Sequence, residues 1–337
     1  MINSTGATMA QHILAGDIGG TKTNLALYVV ERSTHVILLR ESSFASKQYG
    51  GLEEVIREFL QSGQEQVSAA AFGIAGPVLD GVVLATNLPW KVETDRIASV
   101  LGCTQIRLMN DLETTAYGSL FLPPHEIQVL QKGKTHYGHR VVIAAGTGLG
   151  QAFLIWDGAR YWPVATEGGH ADFAPRTDKE IELLRFLKRR YPHVSYERLL
   201  SGPGLVNIFN FLDEYLHQPV ALVVRQRLVT EDPAAVIGQA GVDDLCPTCA
   251  EAVDIFLSIY GAQAGNLALA IMGLGGVYVG GGIVVKMLAK VTAGAFMDGY
   301  LAKGRYTQFM ADIPVRIILN AKTSQFGAAH AARELLG

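Results

Sequence analysis

The sequence predicts an α/β protein, and three observations support this fold class. Short aliphatic strands alternate with segments of helical spacing. Two glycine-rich turns each join a buried strand to a strand that returns beside it. The second half of the chain begins with the same strand–turn–strand order as the first, which favours two related halves with a cleft between them.

In the first half, the predicted strands lie at 13–15, 24–30, 36–41, 67–74 and 106–109. A helix is predicted at 51–61, where five apolar residues share one side, and another from 111 or 112 to 120. Gly76 and Pro77 end the fourth strand. In the second half, strands are predicted at 140–145, 151–156, 277–279 and 315–319. The segments from about 179 onward are mainly helical, and a final helix is predicted near 324–336.

Composition excludes several classes of protein. The 337 residues suggest about two domains. Apolar residues make up 49% and charged residues 18%, which is typical of a globular protein. The 31 acidic and 28 basic residues form no basic block, so nucleic acid is not expected as the main partner.

Three cysteines and residues 1–11, which lack a basic leader, favour a cytoplasmic protein. The stretch 267–285 carries no charge and is long enough to span a bilayer. Six glycines interrupt it, and no Lys/Arg asymmetry flanks it. We therefore interpret it as a helix end, a buried strand and a glycine turn of a soluble protein, with no membrane partner.

The first turn reads DIGGTKTN at 17–24 and the second GTGLGQ at 146–151. Glycines let main-chain N–H groups approach an anion, and threonine hydroxyls add donors, so both turns suit phosphate. Neither has the Gly-Lys-Ser/Thr of a Walker A loop, and the strand-like 151–156 argues against a dinucleotide fingerprint. The remaining interpretation is a β-hairpin whose tip binds phosphate. A plain tight hairpin stays the alternative, mainly for the second turn.

These two turns resemble the phosphate motifs of the actin-like ATPase superfamily, in its sugar-kinase branch. Three further segments narrow the resemblance to the bacterial glucokinase family, in register from about 14 to 336: MNDL at 109–112, EGGHADFAP at 167–175 and SGPGLVN at 201–207. The resemblance implies a two-domain actin-like (ribonuclease H-like) fold with an active-site cleft between the domains. It also implies transfer of the γ-phosphoryl group of ATP to the 6-hydroxyl of glucose, with Mg²⁺.

Asp111 follows a buried strand and starts a helix, so the local sequence allows both a general base and a helix N-cap. The resemblance assigns it as the base that accepts the proton of the sugar 6-hydroxyl, and it assigns Asn110 to neighbouring hydroxyls. Glu167 and His170 have the Glu-x-x-His spacing of a helical metal motif. Two intervening glycines make a helix unfavourable there, so we reject a metal site.

By resemblance, Glu167 and His170 bind the hydroxyls near the anomeric carbon, and Glu197 is a further sugar ligand. Without the resemblance, Glu167 would be interpreted as a surface acid, His170 as a core histidine and Glu197 as a charge on a helix face. The resemblance also assigns Asp17 to the coordination of Mg²⁺, with a water molecule between the carboxylate and the ion. The remaining residues implied to bind the nucleotide are Gly19, Gly20, Thr21, Gly146 and Thr147 at the phosphates and Gly280 and Gly281 at the adenosine.

The expected small domain holds 1–121 and 323–337, and the large domain holds 122–322. A homodimer is expected from the family alone. Cys246 and Cys249 could form half a zinc site or a redox pair, but two further ligands are not evident, so we interpret them as structural thiols. Trp90, after a proline turn, is expected to pack in the interior.

Three alternatives stay open from the sequence: a kinase for another hexose, a sugar sensor without turnover, and an actin-like ATPase. The sensor is disfavoured because Asp111 is present and no helix-turn-helix precedes Leu14. The ATPase would not need the three sugar residues. The sequence determines neither sugar selectivity nor the choice among ATP, ADP and polyphosphate as donor.

Overall fold

A computed structural model describes residues 11–31 and 35–337. Three predictions concern residues 1–10 and so lie wholly or largely outside the described residues. They are the lack of a leader, the lack of a preceding helix-turn-helix and the start of the small domain. The strands are β1 Gln11–Ile18, β2 Lys22–Glu31, β3 His35–Ala45, β4 Val67–Ile74, β5 Val78–Leu79, β6 Val82–Leu84, β7 Lys91–Glu93, β8 Ile106–Asn110, β9 Ile127–Gln131, β10 Arg140–Ala145, β11 Leu149–Trp156, β12 Tyr161–Thr166, β13 Gly276–Gly280 and β14 Val315–Ile318.

The helices carry most of the second half of the chain. They are α1 Leu52–Leu60, α2 Thr94–Leu101, α3 Asp111–Gly118, α4 Asp178–Lys188, α5 Gly202–Asn210, α6 Leu222–Thr230, α7 Pro233–Val242, α8 Pro247–Ala270, α9 Gly282–Lys286, α10 Leu288–Thr292, α11 Ala295–Leu301, α12 Thr307–Asp312 and α13 Thr323–Glu334. A π-helical turn, Phe211–Tyr215, continues α5. Every strand and helix predicted above is confirmed, with ends that differ by a few residues.

The chain forms two compact units: one ends at Leu122 and takes in Lys322–Gly337, and the other is Pro123–Ala321. We call them unit 1 and unit 2. The sheet of unit 1 has the order β3-β2-β1-β4-β8, with β1, β4 and β8 parallel. Unit 2 repeats this order as β12-β11-β10-β13-β14, and β9 adds an antiparallel edge strand. The predicted repeat is therefore confirmed at the level of whole sheets.

The central strands β1 and β4 of the unit 1 sheet are buried on both faces, which explains their continuous apolar sequence. On one face, Leu14 and Phe72 pack with the apolar side of α1. On the other, Ala69 and Ala71 lie with the alanines of α13. These side chains are small, so α13 can pack closely against the sheet.

Several elements were not predicted. The segments 78–93 form a small sheet of three short strands, β5 to β7, and α2 follows it. Strands β9 and β12 lie at the edges of the unit 2 sheet, and with five and six residues they give little periodicity.

The uncharged stretch near 267–285 divides as predicted. Helix α8 ends at Ala270, β13 is fully buried, and Gly281 precedes α9. Within the described ranges, no single helix has the length and apolarity to cross a membrane; α7 and α8 pass that test only as a pair, bent by 97°.

Candidate active site

Both glycine turns are hairpin tips. Strands β1 and β2 pair antiparallel from Gln11↔Val30 to Ile18↔Thr23, and β10 and β11 pair from Arg140↔Leu154 to Ala145↔Leu149. Each turn therefore leads into a strand. This confirms the prediction that neither turn is a Walker A loop or a dinucleotide-binding loop, because both of those lead into a helix.

The first turn is supported by a residue that sequence analysis missed. The main-chain N–H of Gly19 donates to the oxygen of Lys22 at 2.9 Å. The hydroxyl of Ser46 donates to the Gly19 oxygen at 2.8 Å and lies 3.0 Å from the Thr23 hydroxyl. Gly20 packs on Asn87, while the Thr21 side chain is exposed at the tip. Thr21 is thus open to a ligand, whereas Thr23 is buried in the support of the turn.

Asp17 lies near the end of β1 and is largely buried. Its Oδ1 accepts a hydrogen bond of 2.8 Å from the hydroxyl of Ser324 at the start of α13. Burial raises the pKa of the Asp17 carboxyl, although the hydrogen bonds from Ser324 and Asn24 oppose this shift. A desolvated carboxylate of this kind is stabilised by a nearby cation.

A chain of hydroxyls joins Asp17 to the helix that begins at Asp111. The Ser324 hydroxyl lies 2.9 Å from that of Thr114, which is 2.8 Å from the main-chain oxygen of Asp111. Strands β1, β4 and β8 are parallel, so Asp17 and Asp111 also share the carboxyl edge of one sheet. No local pattern in the sequence links Ser324 to residues about 200 and 300 positions earlier.

Asn110, not Asp111, is the N-cap of α3. Its Oδ1 accepts from the N–H of Leu112 at 2.9 Å, and Glu113 completes a capping box at 3.2 Å. One amide hydrogen of Asn110 is used by the Gly76 oxygen at 3.3 Å. The alternative of Asp111 as the N-cap is therefore wrong. Asp111 is the first helical residue, and its Oδ1 accepts from the Leu112 N–H at 2.8 Å.

The second turn connects to Glu197 and to α5. Gly146 donates its N–H to the oxygen of Gly148 at 2.8 Å and accepts from the N–H of Gly202 at 2.9 Å. Oε2 of Glu197 accepts from the N–H of Leu149 at 3.0 Å. Thr147 is exposed at the tip. The structure thus brings Glu197 to the second glycine turn, which sequence analysis did not predict.

Glu167 precedes a single 3₁₀ turn, Gly168–His170, that follows β12, and His170 is the last residue of that turn. The N–H of His170 donates to the oxygen of Glu167 at 3.0 Å, and both side chains are exposed. Gly169 lies against the main chain of Leu149, where an added Cβ would be 2.0 Å from the Leu149 oxygen. The Glu167–His170 turn therefore rests on the first residue of β11.

Gly280 ends β13 beside the carboxyl end of β10, and Gly281 follows it as the N-cap of α9. Gly281 has φ +90°, and a Cβ there would lie 2.2 Å from the Ala145 oxygen, so only glycine fits. The buried hydroxyl of Tyr260 accepts from the Ala145 N–H at 3.0 Å and lies 3.1 Å from the Ile143 oxygen and 3.2 Å from the Gly280 oxygen. Tyr260 is a second supporting residue without a sequence motif.

The two cysteines of α8 lie in the core of unit 2, with Cys246 as the N-cap. In the parts of the chain that the structure describes, no group of three or more His, Cys, Asp and Glu could hold a metal ion. Trp90 is buried, and its Nε1 donates to the Tyr49 oxygen at 3.0 Å, so the packing prediction is confirmed.

The chain is similar to known glucokinases in both sequence and fold. A model of the glucokinase family matches residues 14–335. A glucokinase of Synechocystis sp. is 38% identical, covering 97% of this chain and 99% of the relative. One of Yersinia pestis is 35% identical, covering 98% of each.

Among solved structures, a glucokinase from an Antarctic psychrotroph has a TM-score of 0.84 at 27% identity, covering 96% of this chain and 99% of that one. A glucokinase from Balamuthia mandrillaris in complex with glucose has a TM-score of 0.79 at 22% identity, covering 98% and 95%. The fold is that of a sugar kinase, with two actin-like domains. The chain belongs to the glucokinase family, which confirms the resemblance seen in its motifs.

Proposed function

We propose that this protein is an ATP-dependent glucokinase, which converts ATP and glucose to ADP and glucose 6-phosphate. Membership of the family and the named relatives support this reaction. One observation in the structure supports the proposal further: Asp17 of the phosphate turn and Asp111 are joined through the hydroxyls of Ser324 and Thr114.

In this proposal Asp111 is the general base. Its position as the first residue of α3 fixes its main chain, and the hydrogen bond from the Leu112 N–H to its Oδ1 orients the carboxylate. The carboxylate accepts the proton of the sugar 6-hydroxyl as that oxygen bonds to the γ-phosphorus. Because phosphoryl transfer has a loose transition state, orientation of the hydroxyl contributes as much as proton removal.

The two glycine turns bind the phosphates of ATP. The exposed Thr21 and Thr147 supply hydroxyl donors. Gly19, Gly20 and Gly146 let phosphate approach the main chain closely, where N–H groups of the turns other than those of Gly19 and Gly146 donate to it. Mg²⁺ in kinases is held by one or two carboxylates and by substrate phosphates. A single desolvated carboxylate at Asp17 fits this mode through water, and the ion would supply positive charge to the phosphate oxygens.

Glu167, His170 and Glu197 bind sugar hydroxyls, and Asn110 contributes its second amide hydrogen. Carboxylate and imidazole groups can accept from and donate to vicinal hydroxyls. The N–H of Leu149 holds Glu197 in place. Gly280 and Gly281 leave room for the adenosine, since neither carries a side chain.

Four wider proposals accompany this function. Units 1 and 2 are the small and large domains. The enzyme works in the cytoplasm, consistent with its unpaired cysteines. It feeds glycolysis with glucose 6-phosphate. It forms a homodimer, as the family resemblance implies.

The test is a coupled assay for glucose 6-phosphate with glucose, ATP and Mg²⁺, comparing wild type with Asp111→Ala. We expect a loss of about 10²- to 10⁴-fold in kcat, the usual contribution of a general base. Glucose binding, measured by calorimetry, should persist in the variant. A wild type that binds glucose without turnover would indicate another donor or a sensor. A wild type that binds no glucose would exclude a glucokinase.

A further inference from the structure

Gln151, the third residue of β11, has a buried amide that the proposed mechanism does not use. The residue is 1% exposed. Neither its Oε1 nor its Nε2 has a hydrogen-bond partner among the described residues. Its main-chain oxygen, by contrast, accepts from the hydroxyl of Thr166 at 3.1 Å. The backbone is therefore paired, while the side chain is not.

The amide lies directly beneath the turn that carries Glu167 and His170. A Cβ added to Gly168 would lie 2.4 Å from Oε1 of Gln151 and 3.3 Å from its Cδ. Because Gly168 has no side chain, the Gln151 amide can occupy this space. The amide therefore contacts the buried side of the turn, whereas the side chains of Glu167 and His170 are exposed to solvent.

An unpaired buried amide is unfavourable, because each polar atom has lost water without gaining a partner. Native proteins rarely keep such groups unless they serve a ligand, a water molecule or a second conformation. Replacement of the amide by an apolar group of the same length should therefore cost little stability, or even increase it, when no ligand is bound.

We propose that Gln151 is a positioning residue for glucose: on sugar binding, the Glu167–His170 turn shifts so that its main chain hydrogen-bonds the Gln151 amide. This inference rests on the proposed function, because it takes Glu167 and His170 as sugar ligands. The gained hydrogen bond exists only in the bound state, so it adds to glucose affinity. The amide itself is buried and does not touch the sugar.

The test compares Gln151→Met with a matched control, Gln131→Met, in unit 2. The Gln131 amide donates to the main-chain oxygens of Met310 at 2.8 Å and Ile313 at 2.6 Å, so its partners lie inside the protein. For Gln151→Met we expect an unchanged or higher melting temperature without ligand and a glucose Kd raised about 3- to 10-fold, with an unchanged KM for ATP. The control should melt at a lower temperature and keep its glucose Kd.

A second variant, Gln151→Glu, guards against a failure of the first to fold. The new acid lies beneath the turn of Glu167, so glucose should bind more weakly as pH rises and the buried carboxyl ionises. A Gln151→Met enzyme that melts lower and binds glucose as tightly as wild type would overturn the inference alone. A wild type that neither binds nor phosphorylates glucose would overturn the proposed function, and the inference with it.

Discussion

The Gly169→Ala substitution tests whether the Glu167–His170 turn must rest on β11. The added Cβ would lie 2.0 Å from the oxygen of Leu149 and 3.1 Å from its carbonyl carbon. Both are main-chain atoms, so no side-chain rotation relieves the overlap. Since real contacts of this kind are not shorter than 3.0 Å, the turn or the start of β11 must move by about 1 Å.

A displacement of about 1 Å in a substrate-binding group can lower a rate by about 100-fold. We therefore expect kcat/KM for glucose to fall by about that factor. Overpacking of this kind costs about 1–3 kcal/mol of the free energy of unfolding, which for a chain of this length corresponds to a melting temperature lower by about 1–4 °C. Steady-state kinetics and thermal unfolding measure the two effects separately.

Gly238→Ala in α7 is the matched control. Its Cβ would lie 3.1 Å from the terminal methyl of Met287, a flexible side chain that can shift. Alanine is also favoured over glycine inside a helix by about 0.5–1 kcal/mol. The control should keep wild-type kinetics and melt at the same or a higher temperature. A Gly169→Ala enzyme that matches this control in both measurements would refute the argument that the contact with Leu149 sets the turn.

Two further predictions concern the supporting contacts. Burial raises the pKa of Asp17, so the folded protein holds this proton more tightly than the unfolded chain, and ionisation costs stability as pH rises from 3.8 through the folded pKa. Asp17→Asn should therefore leave the ligand-free protein at least as stable as wild type at neutral pH while it removes most kinase activity; a lower melting temperature at pH 7 would contradict this. Tyr260→Phe removes the hydroxyl that pairs with the buried N–H of Ala145, so we expect the free energy of unfolding, measured by chemical denaturation, to fall by about 1–3 kcal/mol. Because the same hydroxyl lies next to the Gly280 oxygen, we also expect a raised KM for ATP. An unchanged KM would show that Tyr260 does not support the Gly280 turn.

Much of the fold follows from short-range sequence patterns. Strand β4 was predicted with its observed limits because eight consecutive small or apolar residues, ended by Gly76 and Pro77, are typical of a strand buried on both faces. The hairpins at Gly19 and Gly146 were predictable because glycines interrupt alternating strands. The edge strands β9 and β12 were not predicted, because they form by pairing with a neighbouring strand and their own sequences carry little periodicity.

The sequence by itself determined the α/β class, the repeat of two halves, and the residue types suited to phosphate and sugar. These depend on periodicity and on motifs within a few residues. Only the tertiary structure decided that Asn110 rather than Asp111 caps α3, that Ser324 bonds Asp17, and that Gln151 lies beneath Gly168. Such contacts join residues far apart in the chain, and their geometry is set by how helices and strands pack, which no local pattern encodes.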